Sequence, residues 1–211
     1  MNSILIANPK GGSGKTTLAT NLSGYFAKRG QHVVLSDMDR QKSSLNWLER
    51  RPDNLPIIHG LDGRGKHSNS LSADWTIIDS PAGIHGEKLS EAVKKADWVI
   101  VPMQSSTFDI GATEDFLKIL SDEKAVRKER TFVAMIGMRI DSRTKAASKL
   151  QSYLEESGFP VMGHLRDAQI YVQAAEQGAS IFDLSPSRAS KDVQQWSMLL
   201  HWLVSASREV K

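Results

Sequence analysis

A glycine-rich stretch between an apolar run and a helical pattern constrains the fold most strongly. Residues 9–17 read PKGGSGKTT, and the preceding run 3–7 (SILIA) is apolar with β-branched members, which favours a strand. From Lys15 onward, apolar residues recur at three- and four-residue spacing until Gly30, which predicts a helix. A strand, a glycine loop and a helix in this order are typical of phosphate sites, because backbone N–H groups and the positive end of the helix face the anion.

The residues of this loop predict how a nucleotide would be held. Lys15 is placed to neutralise the β- and γ-phosphates, the Thr16 hydroxyl to bind Mg²⁺, and Thr17 to contact the α-phosphate. The loop is nevertheless unusual, because the common P-loop pattern has glycine where this chain has Pro9. The predicted phosphate-binding residues are Gly11, Gly12, Ser13, Gly14, Lys15, Thr16 and Thr17.

Other motifs and chemistries are excluded by what the sequence lacks. The dinucleotide pattern G-x-G-x-x-G fits Gly12 and Gly14 but meets Thr17 in place of its third glycine, which disfavours a nicotinamide cofactor. No N-K-x-D segment for guanine recognition occurs, so we expect ATP rather than GTP. The absence of cysteine excludes disulfides, iron–sulfur clusters and thiol nucleophiles.

Apolar runs and helical patterns alternate along the 211 residues. Strands are predicted at 3–7, 32–36, 75–79, 98–102 and 132–136, and helices at 43–50, 88–95, 112–120, 142–157 and 189–206 besides the one after the glycine loop. Continuous apolar strands indicate burial on both faces of a sheet. We therefore predict one α/β domain over residues 1–211 with the fold of a P-loop NTPase. It would contain a mostly parallel, twisted sheet with helices on both faces and ligand sites at the carboxyl ends of the strands.

Two segments need separate predictions. Residues 52–70 are rich in Gly, Pro, Asn and His, which predicts an irregular segment with a short strand at 56–59. The predicted helix at 189–206 carries Val193, Trp196, Leu200 and Leu203 on one stripe, which predicts a helix docked on the core.

A carboxylate at a strand end is the second part of a P-loop site. Asp79 ends the apolar run 75–78 (WTII) and precedes SPAG, which is the form of a Walker B strand. We predict that Asp79 holds Mg²⁺. Two more carboxylates, Asp37 and Asp39, follow the strand predicted at 32–36.

The octet KGGSGKTT at residues 10–17 resembles the deviant Walker A signature of the ParA/MinD family of ATPases, in particular the short plasmid-partition ParA-type ATPases. Residues 37–41 (DMDRQ) are similar to the family's D-x-D-P-Q, with Arg40 in place of proline. The likeness continues at 101–110 (VPMQSSTFDI) and 165–172 (LRDAQIYV), so it covers nearly the whole chain. Ala168 stands where short partition ATPases usually carry a second arginine.

The resemblance implies an ATPase that hydrolyses ATP to ADP and phosphate with Mg²⁺. The implied catalytic residues are Lys10, Lys15, Asp39 and Asp37. Lys10 would reach the ATP of the partner subunit in an ATP-bound sandwich homodimer. Asp39 would orient the attacking water or accept its proton, and Asp37 would assist around the metal.

The resemblance also implies that the ATP-bound dimer binds DNA nonspecifically and that a small centromere-binding or cargo adaptor protein stimulates hydrolysis. The cargo would be a plasmid, a chromosome or a protein assembly. The formal net charge of +3 permits contact with nucleic acid without requiring it. The candidate DNA contacts are Arg139, Arg143, Lys145 and Arg166, and contacts to phosphate predict binding that ignores base sequence and weakens with salt.

Two alternative functions remain open at this point. A MinD-like positioning ATPase would bind membrane through a C-terminal amphipathic helix, yet residues 194–206 contain no Lys or Arg, which such helices usually carry. A metabolic P-loop enzyme would use ATP on a small molecule, although nothing in the sequence marks an acceptor site. Because the chain has no eighteen-residue apolar run and no signal-peptide pattern, we expect a cytoplasmic protein without membrane contact. The resemblance further implies association with the nucleoid.

Overall fold

The computed structural model describes residues 1–63, 72–141 and 143–209. These residues form one seven-stranded sheet in the order β3-β2-β4-β1-β5-β6-β7, and all of its strand pairs are parallel. The strands are β1 (Asn2–Ile6), β2 (Val33–Asp37), β3 (His59–Asp62), β4 (Trp75–Asp79), β5 (Trp98–Met103), β6 (Phe132–Gly137) and β7 (Val161–His164).

Helices connect the strands and cover both faces of the sheet. They are α1 (Lys15–Lys28), α2 (Ser43–Glu49), α3 (Gly86–Lys95), α4 (Thr107–Asp122), α5 (Lys124–Arg127), α6 (Lys145–Glu156), α7 (Gln169–Glu176), α8 (Pro186–Gln194) and α9 (Ser197–Glu209). The predicted fold class is therefore confirmed, with a sheet that is parallel throughout.

Alternating side chains of β1 separate two hydrophobic cores. Ile4 and Ile6 face one core, which is completed by side chains of α1, α2, α7 and α9. Leu5 faces the other core, which is completed by α3, α4 and α6. Burial on both faces explains why the strands are continuously apolar in sequence.

Several element boundaries differ from the predictions. The strand predicted at 56–59 forms later, as β3, and residues 64–70 of the predicted irregular segment lie outside the described part of the chain. Strand β7 and helices α5 and α7 were not predicted. Strand β7 has only four residues, contains Gly163 at a φ of 111°, and pairs with β6 through an irregular register, so its sequence carries little strand signal. The helix predicted at 142–157 begins at Lys145, and residue 142 is not described.

The C-terminal segment docks on the core as predicted, but it forms two helices rather than one. Helix α8 ends at Gln194, and α9 begins at Ser197. Trp196, Leu199 and Leu203 are fully buried in the core that also contains α1. The apolar stripe is therefore largely buried against the core. No helix in the described residues is both long and apolar enough to cross a bilayer.

We expect Leu203→Ala to destabilise the protein by about 2–5 kcal/mol, because it leaves a cavity at a fully buried site. Met198→Ala on the same helix is the control, since Met198 is 57% exposed and its loss should change the free energy of unfolding by less than about 0.5 kcal/mol. Urea denaturation of both variants checks this. Equal effects at the two positions would contradict the docking of α9.

Candidate nucleotide-binding site

The candidate site lies at the carboxyl edge of the sheet, where three neighbouring strands end in one row. Ile6 at the end of β1 pairs with Asp79 at the end of β4, and Asp79 pairs with Asp37 at the end of β2. The glycine loop runs from β1 into α1 directly beside this row. The sheet register thus brings together the loop and both carboxylates that the sequence placed at strand ends.

Two glycines of the loop adopt backbone conformations that other residues rarely take. Gly12 has a φ of 73° and Gly14 a φ of 101°. Gly14 is also crowded, because a Cβ at this position would lie 2.7 Å from Met138 Cε. The backbone conformation therefore requires glycine at position 14, and a larger residue would also displace the Met138 side chain.

Two side-chain amides fasten the loop to the end of β5. The buried Asn8 donates through Nδ2 to the Pro102 carbonyl at 2.7 Å, while its Oδ1 accepts from the Lys10 backbone N–H at 2.8 Å. Gln104 Nε2 donates to the Gly12 carbonyl at 2.7 Å. Sequence reasoning did not assign either amide, although both stand within or beside the segments that carry the family resemblance.

The ammonium group of Lys15 lies folded inside the loop. It donates to the Lys10 carbonyl at 2.7 Å and the Asn8 carbonyl at 3.1 Å. Burial lowers the pKa of Lys15, while the charges of Asp79 and Asp39 act in the opposite direction. Because its direct partners here are neutral carbonyls, the buried cation is well placed to attract an anionic phosphate.

Asp79 has the features of a ligand for a divalent cation. Its Oδ2 accepts from the Thr16 hydroxyl at 2.9 Å, and its Oδ1 is buried without a hydrogen-bond partner. Burial raises the pKa of Asp79 to about 7, and the nearby charge of Asp37 adds to the increase. An orphaned carboxylate oxygen beside a hydroxyl suits Mg²⁺, which usually takes one or two protein ligands and completes its shell with phosphate and water. Among the described residues, no group of three or more His, Cys, Asp or Glu side chains is arranged so that it could hold a metal ion by itself.

Asp37 is fully buried, and both of its oxygens accept hydrogen bonds from protein groups. Oδ1 accepts from the Asp39 N–H at 2.8 Å, and Oδ2 accepts from the N–H and hydroxyl of Ser44 at 3.0 and 2.7 Å. These bonds cap the start of α2, whose own N-cap residue, Lys42, provides no side-chain cap. Asp37 therefore anchors the loop that follows β2, and its predicted contact with the metal stays a prediction.

Asp39 and Lys10 lie nearer the surface than the groups just described. Asp39 is partly exposed, its Oδ1 accepts from the Gln41 N–H at 3.0 Å, and its charge acts on Lys15. Lys10 is also partly exposed, and its ammonium has no hydrogen bond or ion pair within the described residues. The predicted contact of Lys10 with the ATP of a partner subunit stays a prediction.

A cavity of about 520 Å³, here called the nucleoside cavity, opens beside the loop. Its lining includes Gly14 and Thr17 of the loop and α1, together with Met138, Arg139 and Tyr171. Its volume lies in the range of small-molecule sites, roughly 300–1,000 Å³. Sequence reasoning did not predict this cavity, although it predicted that Thr17 would face the nucleotide.

Three of the four candidate DNA contacts lie together in a second cavity of about 920 Å³, here called the basic groove. Arg139, Arg143 and Arg166 line it with Lys191, which sequence reasoning did not include. Lys145 is exposed at the start of α6 but does not line the groove.

Two of these arginines are already paired with carboxylates. Arg143 forms two hydrogen bonds of 2.9 Å with Asp141, and these bonds hold the pKa of Asp141 down at about 2. Arg166 contacts the buried Asp192 at 2.8 and 3.0 Å. The Arg143–Asp141 pair is exposed to solvent and therefore weak, so a phosphate can compete for Arg143. The Arg166–Asp192 pair is more persistent, because breaking it would leave the buried Asp192 carboxylate without a partner, which costs free energy.

Comparison with known proteins agrees with this geometry. Residues 4–181 match the model of the CobQ/CobB/MinD/ParA nucleotide binding domain. The chain is 24% identical over 189 residues to the maintenance of carboxysome distribution protein A of Halothiobacillus neapolitanus, across 86% of this chain and 87% of that protein. It is 26% identical over 188 residues to the chromosome-partitioning ATPase Soj of Thermus thermophilus, across 72% of this chain and 74% of that protein.

A solved structure shares the fold over nearly the full length. Apo McdA from Cyanothece superposes with a TM-score of 0.74 at 18% sequence identity, covering 95% of this chain and 99% of that one. At this identity the likeness establishes the fold alone. The family model, which spans most of the chain, establishes more: this protein belongs to the CobQ/CobB/MinD/ParA family of nucleotide-binding domains.

Proposed function

We propose that this protein is a Mg²⁺-dependent ATPase that dimerises on ATP, binds DNA nonspecifically and positions a cargo through ATP hydrolysis. The observation that carries the proposal is the loop itself, with the buried Lys15 ammonium inside it and the Thr16–Asp79 pair at its end. Relatives that are named for carboxysome distribution and chromosome partitioning support a positioning role. We place the protein in the cytoplasm, in association with the nucleoid.

The side chains divide the work on ATP among them. The loop N–H groups of residues 11–17 and Lys15 bind the phosphates, while Thr16 and Asp79 hold Mg²⁺, which neutralises charge that develops during phosphoryl transfer. We assign the attacking water to Asp39, which follows β2 and is close enough to the loop for its charge to act on Lys15. Lys10 reaches the ATP of the partner subunit.

The cargo is a DNA molecule or a protein assembly, recognised through an adaptor that stimulates hydrolysis. Both kinds of cargo occur in the names of the relatives, and the geometry of this subunit does not separate them. Membrane anchoring through the C-terminal segment is disfavoured, because its apolar stripe is buried against the core. The family also includes CobQ- and CobB-type domains, so a metabolic ATP-dependent reaction is an outcome that the following tests can reveal.

The first test measures binding to a random-sequence DNA duplex with ATP, with ADP and without nucleotide, over a series of salt concentrations. We expect tight binding only with ATP and a steep loss as salt rises, because phosphate contacts release counterions. Arg143→Gln should weaken binding and reduce the slope of log affinity against log salt concentration by about one, which corresponds to one phosphate contact. Lys128→Gln is the matched control and should leave binding unchanged, because Lys128 precedes β6 whereas Arg143 follows it, and Lys128 does not line the basic groove. Absence of DNA binding in every nucleotide state would contradict the proposal and favour a small-molecule substrate.

The two loop lysines should separate binding from dimer function. Lys15→Ala should lower ATP affinity at least about tenfold, because a charged hydrogen bond is worth roughly 1.5–3 kcal/mol. Lys10→Ala should keep ATP affinity near the wild-type value but lose ATP-dependent dimerisation. Titration with a fluorescent ATP analogue and analytical ultracentrifugation measure the two properties. A Lys10→Ala protein that dimerises and hydrolyses ATP normally would remove Lys10 from the mechanism.

Binding of Mg²⁺ and ATP should release a proton from Asp79. Since its pKa is raised to about 7, roughly half of this carboxyl is protonated at neutral pH, and the metal requires the ionised form. Calorimetry at pH 7 in two buffers of different ionisation enthalpy should show about half a proton more released by the wild type than by Asp79→Asn. Equal release by both proteins would contradict a metal role for an Asp79 carboxyl whose pKa is raised.

The same carboxyl should make the nucleotide-free protein less stable as pH rises. Its folded pKa lies above its usual value of 3.8, so the stability that it contributes is present below about pH 4 and is lost by about pH 7. The thermal stability of Asp79→Asn relative to the wild type should therefore increase as the pH rises from about 4 to about 7. A constant difference over the whole interval would contradict the raised pKa.

A further inference from the structure

The nucleoside cavity and the basic groove are separated by a shared wall. Three residues, Arg139, Arg166 and Asp167, line both cavities. A group on this wall can therefore meet a nucleotide on one side and a polyanion on the other. The two sites that the proposed function requires are thus neighbours within one subunit.

The two cations of the wall differ in their freedom. Arg166 is held by its pair of hydrogen bonds to the buried Asp192, and its backbone N–H donates to Gln195 Oε1 at 3.0 Å. Arg139 is exposed, and its guanidinium has no hydrogen bond or ion pair within the described part of the chain. Of the two, Arg139 is the cation that can change position.

The backbone at Arg139 is connected to the phosphate loop. Arg139 has a φ of 55°, a left-handed conformation that arginine rarely adopts. Its neighbours are fixed, because the Met138 N–H donates to the Met103 carbonyl at 2.6 Å and the Ile140 N–H donates to the Leu165 carbonyl at 3.0 Å. The Met138 side chain lies directly over Gly14 of the loop. Strained backbone of this kind concentrates at functional sites, where surrounding contacts hold it.

We propose that Arg139 couples the two cavities, so that the nucleotide bound at the loop sets the position of the Arg139 guanidinium and thereby the affinity of the basic groove for phosphate. The path runs from Gly14 through Met138 to Arg139. This inference rests on the proposed function, because it assigns to one residue the dependence of DNA binding on nucleotide.

The experiment compares Arg139→Asn with Arg143→Gln. Asparagine tolerates the left-handed backbone, so the first variant removes the charge without disturbing the fold. Arg143 lines the basic groove but not the nucleoside cavity, so the second variant removes a charge from the groove alone. The measured quantity is the ratio of affinities for a random-sequence duplex with ATP and with ADP, at one fixed salt concentration.

We expect Arg143→Gln to weaken binding in both states and keep the ratio. Arg139→Asn should reduce the ratio by about fivefold or more while ATP-dependent dimerisation remains, because couplings between sites are typically 5- to 150-fold and this variant removes the connection. By the same linkage, duplex DNA should raise the ATP affinity of the wild type and of Arg143→Gln but not of Arg139→Asn.

Three outcomes would overturn the inference in distinguishable ways. A wild-type ratio preserved in Arg139→Asn removes Arg139 from the coupling and leaves the proposed function intact. Loss of ATP-dependent dimerisation by Arg139→Asn, measured by sedimentation, assigns the effect to the dimer rather than to the groove. A wild type that binds DNA equally in all nucleotide states, or not at all, contradicts the proposed function itself.

Discussion

The parallel pairing of β1 with β4, and of β4 with β2, is the constraint on which the rest of the site depends. It places the ends of three strands in one row, so that the glycine loop, Asp79 and Asp37 meet although they are up to seventy residues apart in sequence. Burial at this edge of the sheet then shifts the pKa values of Asp79 and Lys15. Asp79 is buried between neighbouring strands and keeps its proton to near neutral pH, while Lys15 is enclosed by the loop and loses part of its preference for the charged form. The same register leaves one oxygen of these buried groups, Asp79 Oδ1, without a hydrogen-bond partner among the described residues.

Sequence reasoning could predict this edge of the molecule because its signals are local. A glycine loop between a strand and a helix, and aspartates at the ends of apolar runs, are readable without any knowledge of the sheet order. Strand β7 could not be predicted, since four residues with a left-handed Gly163 and an irregular register resemble a loop. The break between α8 and α9 was not predicted either, because the helical spacing of apolar residues continues through it and indicates one helix.

The parts of the site that sequence reasoning missed are built from residues without any shared pattern. The nucleoside cavity combines Gly14 with Met138 and Tyr171, which come from the loop, the end of β6 and helix α7. The basic cluster was recognised, but the sequence did not reveal which arginines are paired. Arg166 finds Asp192 twenty-six residues away in α8, and only the fold brings the two together. Counting basic residues in the sequence therefore overestimates how many unpaired cations the basic groove presents.

The hydrogen bonds of Asp37 have a consequence for the segment between β2 and α2. One carboxylate binds the N–H of Asp39 at one end of this segment and the N–H and hydroxyl of Ser44 at the other. The two ends of the segment are thereby held together by the buried Asp37 side chain, which restrains the conformation of the residues between them. Arg40 is an exposed residue of this segment, next to Asp39. With arginine rather than proline at residue 40, the segment that carries Asp39 is restrained by the buried Asp37 carboxylate and not by a proline ring.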